Sequence, residues 1–145
     1  MRITALLSLL VFFLLPATAH ADCRPYGSFP EFRGDTVHFN IDTDNGACGL
    51  NFSLGGRDSI LLQSLKVSEQ ALHGAVATTE DFSFQYWAFK SYQGPDKFSI
   101  EVCGVKNGQS GCSIAIATVN VTGPSQTDLT PAMLQRSAQK QAKKK

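Results

Sequence analysis

Histidine, methionine and tryptophan are nearly missing from this chain, with 3, 2 and 1 among 145 residues. One histidine, His20, sits in an N-terminal leader, which leaves His38 and His73 for imidazole chemistry. Zinc and copper sites draw on roughly three or four ligands, and the four cysteines are better used as disulfides. No metal and no other cofactor is therefore expected. A nucleophile elbow, a glycine-rich phosphate loop and a paired-carboxylate pattern are absent too, so the chain is not expected to be an enzyme. Helical periodicity is also missing from the body of the chain. Beyond residue 21 no apolar run is long enough to cross a bilayer.

What stands at the N-terminus is a leader. Met1-Arg2 gives a short positive start, Ile3 to Leu15 is mostly apolar, and Ala19-His20-Ala21 completes a cleavage pattern. Residues 1–21 read as a signal peptide, with a mature start at Asp22 and an exported product, periplasmic or extracellular. Cysteines in an exported chain imply disulfides.

The stretch from Tyr92 to Val121 carries most of the structural information. Asn107-Gly108 is a strong two-residue hairpin signal, because a type I′ turn needs positive φ at both central residues. With those residues in the loop, Lys106 faces Gln109 and, counting outward, Cys103 faces Cys112. Alternation makes that a non-hydrogen-bonded site, where Cα atoms approach to roughly 4.5 Å, within reach of a disulfide. Cys23 is then left to pair with Cys48. Each closure would contribute on the order of 3 kcal/mol on the chain-entropy view. The same register puts Phe98, Ile100 and Val102 opposite Ala117, Ala115 and Ser113 on an inner face. The disulfide, Ile114 and Ile116 fall on the outer face.

Further strands follow from alternation. Thr36 to Asp42 sets Val37, Phe39 and Ile41 against polar residues, and Cys48 to Leu54 repeats the pattern. In Ser59 to Ser68 the parity changes after Leu62, which predicts a bulge near Gln63-Ser64. Phe82, Phe84 and Tyr86 read as core, with Trp87 and Phe89 on the opposite row. The expectation is an all-β, single antiparallel sandwich of seven or eight strands over 22–123, stapled by disulfides.

Several short motifs are read conservatively. Arg33-Gly34-Asp35 spells an integrin-recognition tripeptide but reads as a polar turn before a strand. Asp42 to Gly46 fails the EF-hand pattern, since Ala47 stands where the sixth-position glycine belongs. The sequons at Asn51 and Asn120 fall on strands and are taken as coincidental.

Charge is segregated. The mature chain balances 12 cations against 12 acids once Arg2 is removed. Arg136, Lys140, Lys143, Lys144 and Lys145 give the end of the chain a charge of about +5, leaving about −5 on the body. An acidic body argues against specific nucleic-acid binding. Residues 124–145 read as a basic tail, disordered or a frayed helix, able to make weak contact with an anionic surface.

His73-Gly74-x-Val76, Tyr86, Tyr92-x-Gly94-x-Asp96-x-Phe98, the hairpin and the closing Ala117-Thr118-Val119-Asn120-Val121 resemble the bacterial Ig-like, cadherin-like domains, in a small solitary secreted form. The resemblance covers Leu65 to Val121. It implies an Ig-like sandwich in an adhesion, scaffolding or ligand-binding role, with Asp96 similar to a turn-capping aspartate. Ala88 stands where that family commonly has proline, and the cadherin calcium motifs are missing. The chain is thus expected to be a non-catalytic module that binds an envelope protein or glycan, with Trp87, Phe89, Ile114 and Ile116 as a candidate surface. The alternatives are a small envelope enzyme or enzyme inhibitor acting through a loop, and a self-associating subunit such as a homodimer.

Overall fold

The computed structural model describes residues 23–52, 60–125, 127–130 and 132. The expected signal peptide, the Gly55–Asp58 loop and the tail cations Arg136, Lys140, Lys143, Lys144 and Lys145 lie outside them. Among the described residues there are eight strands and no helix long and apolar enough to cross a membrane. The strands are β1 (Cys23–Gly27), β2 (Thr36–Thr43), β3 (Ala47–Asn51), β4 (Ile60–Glu69), β5 (Gly74–Thr78), β6 (Ser83–Ala88), β7 (Gly94–Lys106) and β8 (Gln109–Val121). They form a five-stranded sheet in the order β1-β2-β8-β7-β4 and a three-stranded sheet in the order β3-β6-β5.

The long hairpin sits at the centre of the larger sheet. Asn107 and Gly108 take φ of 52° and 78°, the positive values the turn demands. Lys106 faces Gln109 and Cys103 faces Cys112, as the turn and the cysteine spacing require. The Cys103–Cys112 disulfide forms with Cα atoms 4.0 Å apart, and Cys23 pairs with Cys48. That second bridge ties β1 of the larger sheet to β3 of the smaller one. The inner row of Phe98, Ile100, Val102, Ala115, Ala117 and Val119 is fully buried.

Aromatic rings join the two sheets. Phe98 meets Phe84 edge-on at 5.4 Å between centroids and stacks on Tyr86 at 5.8 Å. Phe39 reaches Phe84, Phe52 and Phe98 from β2. Each fully buried large apolar side chain contributes about 1.5–3 kcal/mol, so this cluster is the main stabilising term.

Three features depart from the sequence reading. First, β2 pairs with β8 in parallel, whereas every other pairing is antiparallel. Alternation records which face a residue takes but not the direction of its strand. The segment from Phe29 to Asp35 straps the turn end of the hairpin and so starts β2 beside the start of β8. Phe32, buried and with φ of 59°, donates its N–H to Ser113 Oγ at 2.9 Å, and Gly34 N–H donates to Cys112 O at 2.9 Å. Second, besides the bulge after Leu62 that its parity predicts, β4 carries another after Val67 that parity does not. Third, hydrogen bonding to the sandwich continues beyond Gly123. Ser125 N–H donates to Tyr92 O at 3.0 Å, Thr127 Oγ1 to Ala88 O at 2.6 Å, and Lys90 N–H to Leu129 O at 2.8 Å. Ser125 is buried against Gly46.

Phe82 is a smaller difference. It takes a φ of 59° just before β6 and is half-buried, so the strand's inner row begins at Phe84.

Candidate functional site

β6 is the central strand of the smaller sheet, between β3 and β5. Phe84, Tyr86 and Ala88 point inward and are fully buried, so Gln85 and Trp87 must face outward. Register gives each of them very small neighbours. Trp87 lies between Ala47 and Ala75, and Gln85 between Gly49 and Ala77. No flanking side chain is larger than a methyl group. A Cβ on Gly49 would come within 3.2 Å of Phe84 O and 3.3 Å of Gln85 Cγ, so that position is tight for any side chain.

The result is a groove of about 350 Å³ lined by Cys23, Ala47, Cys48, Gly49, Gln85, Tyr86 and Trp87. Gln85 is exposed and Trp87 half-buried. Among the described residues, neither the Gln85 amide nor the Trp87 indole N–H has a hydrogen-bond partner, and no ring stacks on the indole. Among the described residues the lining carries no charge. Tyr86 borders the groove but sends its hydroxyl inward to Asp96, where burial and that carboxylate drive it far above the ordinary tyrosine range.

The other residues of the expected binding surface lie elsewhere. Ile114 and Ile116 are half-buried on the outer face of the larger sheet, beside Thr36 and Glu101 and beside His38 and Ser99. Phe89 is in the turn after β6, its N–H donated to His73 O at 2.7 Å. Trp87 and the two isoleucines therefore face away from one another on opposite sides of the molecule. The sequence reading named Trp87 and missed Gln85. The alternating row Ser83, Gln85, Trp87 was a signal for it, but the small neighbours come from strands whose pairing the sequence does not state.

The carboxylates are engaged in holding loops. Asp96 is buried at the start of β7 and accepts from Leu72 N at 3.1 Å, His73 N at 3.1 Å, Lys97 N at 2.9 Å and Tyr86 Oη at 2.9 Å. It caps its own strand and also fixes the β4–β5 connection. His73 Nδ1 lies 3.8 Å from Asp96 Oδ1, too far for a hydrogen bond, while its ring stacks on Tyr92 at 4.4 Å. Burial, then the charge of Asp96, raises the Tyr92 hydroxyl above its ordinary value. Asp35 of the Arg33-Gly34-Asp35 turn accepts from Ser113 Oγ, Arg33 N and Glu31 N. Desolvation opposes its ionisation, but those hydrogen bonds outweigh it and hold the carboxyl below its ordinary value. Its oxygens face the fold and not an incoming receptor. Asn51 and Asn120 are likewise bonded, to Asp81 and Asp42.

Further clefts are lined by the described residues. One of about 560 Å³ runs past Leu72, His73, Pro95 and Thr118. Another, of about 270 Å³, is apolar and opens between β1 and β3 at Tyr26, Phe29, Leu50 and Phe52. No family model matches this chain, and no curated protein matches it in sequence.

Proposed function

We propose that this chain is an exported, non-catalytic immunoglobulin-like module that binds a protein or a glycan at the cell envelope or outside the cell. The observation that carries the reading is the Trp87–Gln85 groove, where an aromatic ring and an amide stand together with free hydrogen-bonding groups. Ligand sites characteristically combine apolar lining with a few placed polar groups.

Topology supports the fold assignment. With β3 to β8 taken as strands B to G, the β3-β6-β5 sheet corresponds to B-E-D and the β4-β7-β8 group to C-F-G. β2 then runs beside the last strand instead of beside B. Two disulfides fit an oxidising compartment outside the cytosol. The non-catalytic part of the reading draws on Asp96 and Asp35, whose oxygens are engaged by backbone donors and hydroxyls that hold loops. The basic tail would add a weak electrostatic hold on an anionic surface.

Protein starting at Asp22 and immobilised through its C-terminus should retain, saturably, an envelope glycan or protein from a fractionated extract. The same material should pass over a Trp87→Ala column. Failure of the wild-type column to retain any such material, or turnover of the retained material, would reject the reading, whereas equal retention on both columns would move the binding away from the groove.

A further inference from the structure

We infer that the groove between β3 and β6 takes a neutral pyranose ring, stacked on the Trp87 indole and hydrogen-bonded by the Gln85 amide. The inference rests on the reading of this chain as a binding module and names the ligand class of its groove. A pyranose has an apolar C–H face and a hydroxyl edge. The indole offers a flat face carrying negative quadrupole density, to which the slightly positive C–H face is complementary. The Gln85 side chain supplies a donor and an acceptor together, and a sugar hydroxyl can meet both. The indole N–H adds a second donor.

Charge and shape narrow the ligand further. Among the described residues no cation lines the groove, so the carboxylate or phosphate of an acidic sugar would be desolvated without a partner there. Among the same residues no anion lines it either, which disfavours a basic ligand. Ala47 and Ala75 on either side of Trp87 put only methyl groups beside its ring, which favours a rigid, flat molecule. The volume of about 350 Å³ is at the lower end of ligand sites and suits one or two sugar rings. A peptide adding to the sheet would instead pair with the free edge of β3 through its backbone and would leave the outward row untouched.

Trp87 is the only tryptophan in the chain, so its fluorescence reports this groove alone. The mature protein should be titrated with uncharged hexose and N-acetylhexosamine oligomers, and in parallel with uronic-acid oligomers and short peptides. A saturable emission change with a neutral oligomer is expected. Gln85→Ala should weaken that binding roughly tenfold with no change in the far-UV spectrum or melting temperature. Trp87→Phe, followed by calorimetry, should keep part of the affinity. No response to any neutral sugar, a response confined to peptides or acidic sugars, or affinity indifferent to Gln85→Ala would overturn the assignment. If Gln85→Ala and Trp87→Ala proteins still retain an envelope ligand, the groove assignment falls and the module reading stands. If wild-type protein retains nothing, both fall.

Discussion

Asp96 shows how one residue can hold two sheets in register. Its two oxygens gather donors from the β4–β5 connection, from its own strand and from Tyr86 across the core. Replacing it with alanine strands those donors in a buried place, where each unmatched group costs about 1–3 kcal/mol. We expect Asp96→Ala to lose at least about 3 kcal/mol in urea unfolding, a large share of a typical total of about 5–15 kcal/mol. A loss under about 1 kcal/mol would mean the loop closes without it. Asp35 gives a pH signature instead. Its carboxyl titrates lower when folded, so its contribution is fully present above the unfolded value near 3.8 and is lost as pH falls through the folded one. Asp35→Asn should therefore flatten the acid limb of stability below about pH 4 and leave the neutral region with a constant offset. An unchanged acid limb would show that Asp35 titrates alike folded and unfolded.

At the level of elements, the hairpin was legible because its signals are local. The Asn-Gly turn and the cysteine spacing act within one short stretch, and both give the observed register. The bulge after Leu62 was legible for the same reason, as a change of parity within one strand. The parallel pairing of β2 was not. It depends on Phe32 seating against Gly104 and Gly111, glycines that look like ordinary turn-flanking residues until the strap is seen. A Cβ on Gly111 would fall 2.0 Å from Phe32 O. Gly111→Ala should thus cost at least about 1–3 kcal/mol by overpacking. Gly104 meets the Phe32 ring less closely and should be the milder site. Cys103→Ser with Cys112→Ser should retain the β spectrum, since turn and strap fix the same register. A Gly111→Ala protein with wild-type melting would disprove the role of the strap. Trp87 was found from parity alone, whereas its groove needed the cross-strand partners that only the folded sheet supplies.

For the whole molecule the salient property is separation of charge, an acidic body followed by a run of lysines. The structure moves the functional boundary of that tail, because Ser125, Thr127 and Leu129 are bonded to residues 88–92. A chain ending at Thr130 should melt like the mature protein. One ending at Gly123 should melt lower, having lost the bonds at Ala88, Lys90, Ser91 and Tyr92. Each lysine near an anionic membrane is worth about 1 kcal/mol at low salt, and screening reduces this at physiological strength. Only the full chain ending at Lys145 should therefore sediment with phosphatidylserine vesicles, and only at low salt. Sedimentation of the Thr130 version equal to that of the full chain would rule out the tail as the contact. Sheet edges bear on self-association as well. β4 carries two bulges, and the Gln70 side chain pairs with both the N–H and the C=O of Val76 at 2.9 Å on β5. Both devices blunt edge-to-edge addition of a second copy.

The parallel seam between β2 and β8 also sets an order of events in biogenesis. Asp42 and its partner Asn120 are 78 residues apart, and β8 is the last strand to be synthesised. Until it arrives, Val37, Phe39 and Ile41 have no hairpin to lie against. A nascent chain would thus carry this apolar row uncovered until β8 is made, while the hairpin, being local, closes as soon as both its arms exist. The first third of the protein would be the last to become native, and that interval is when a holding chaperone has most to do.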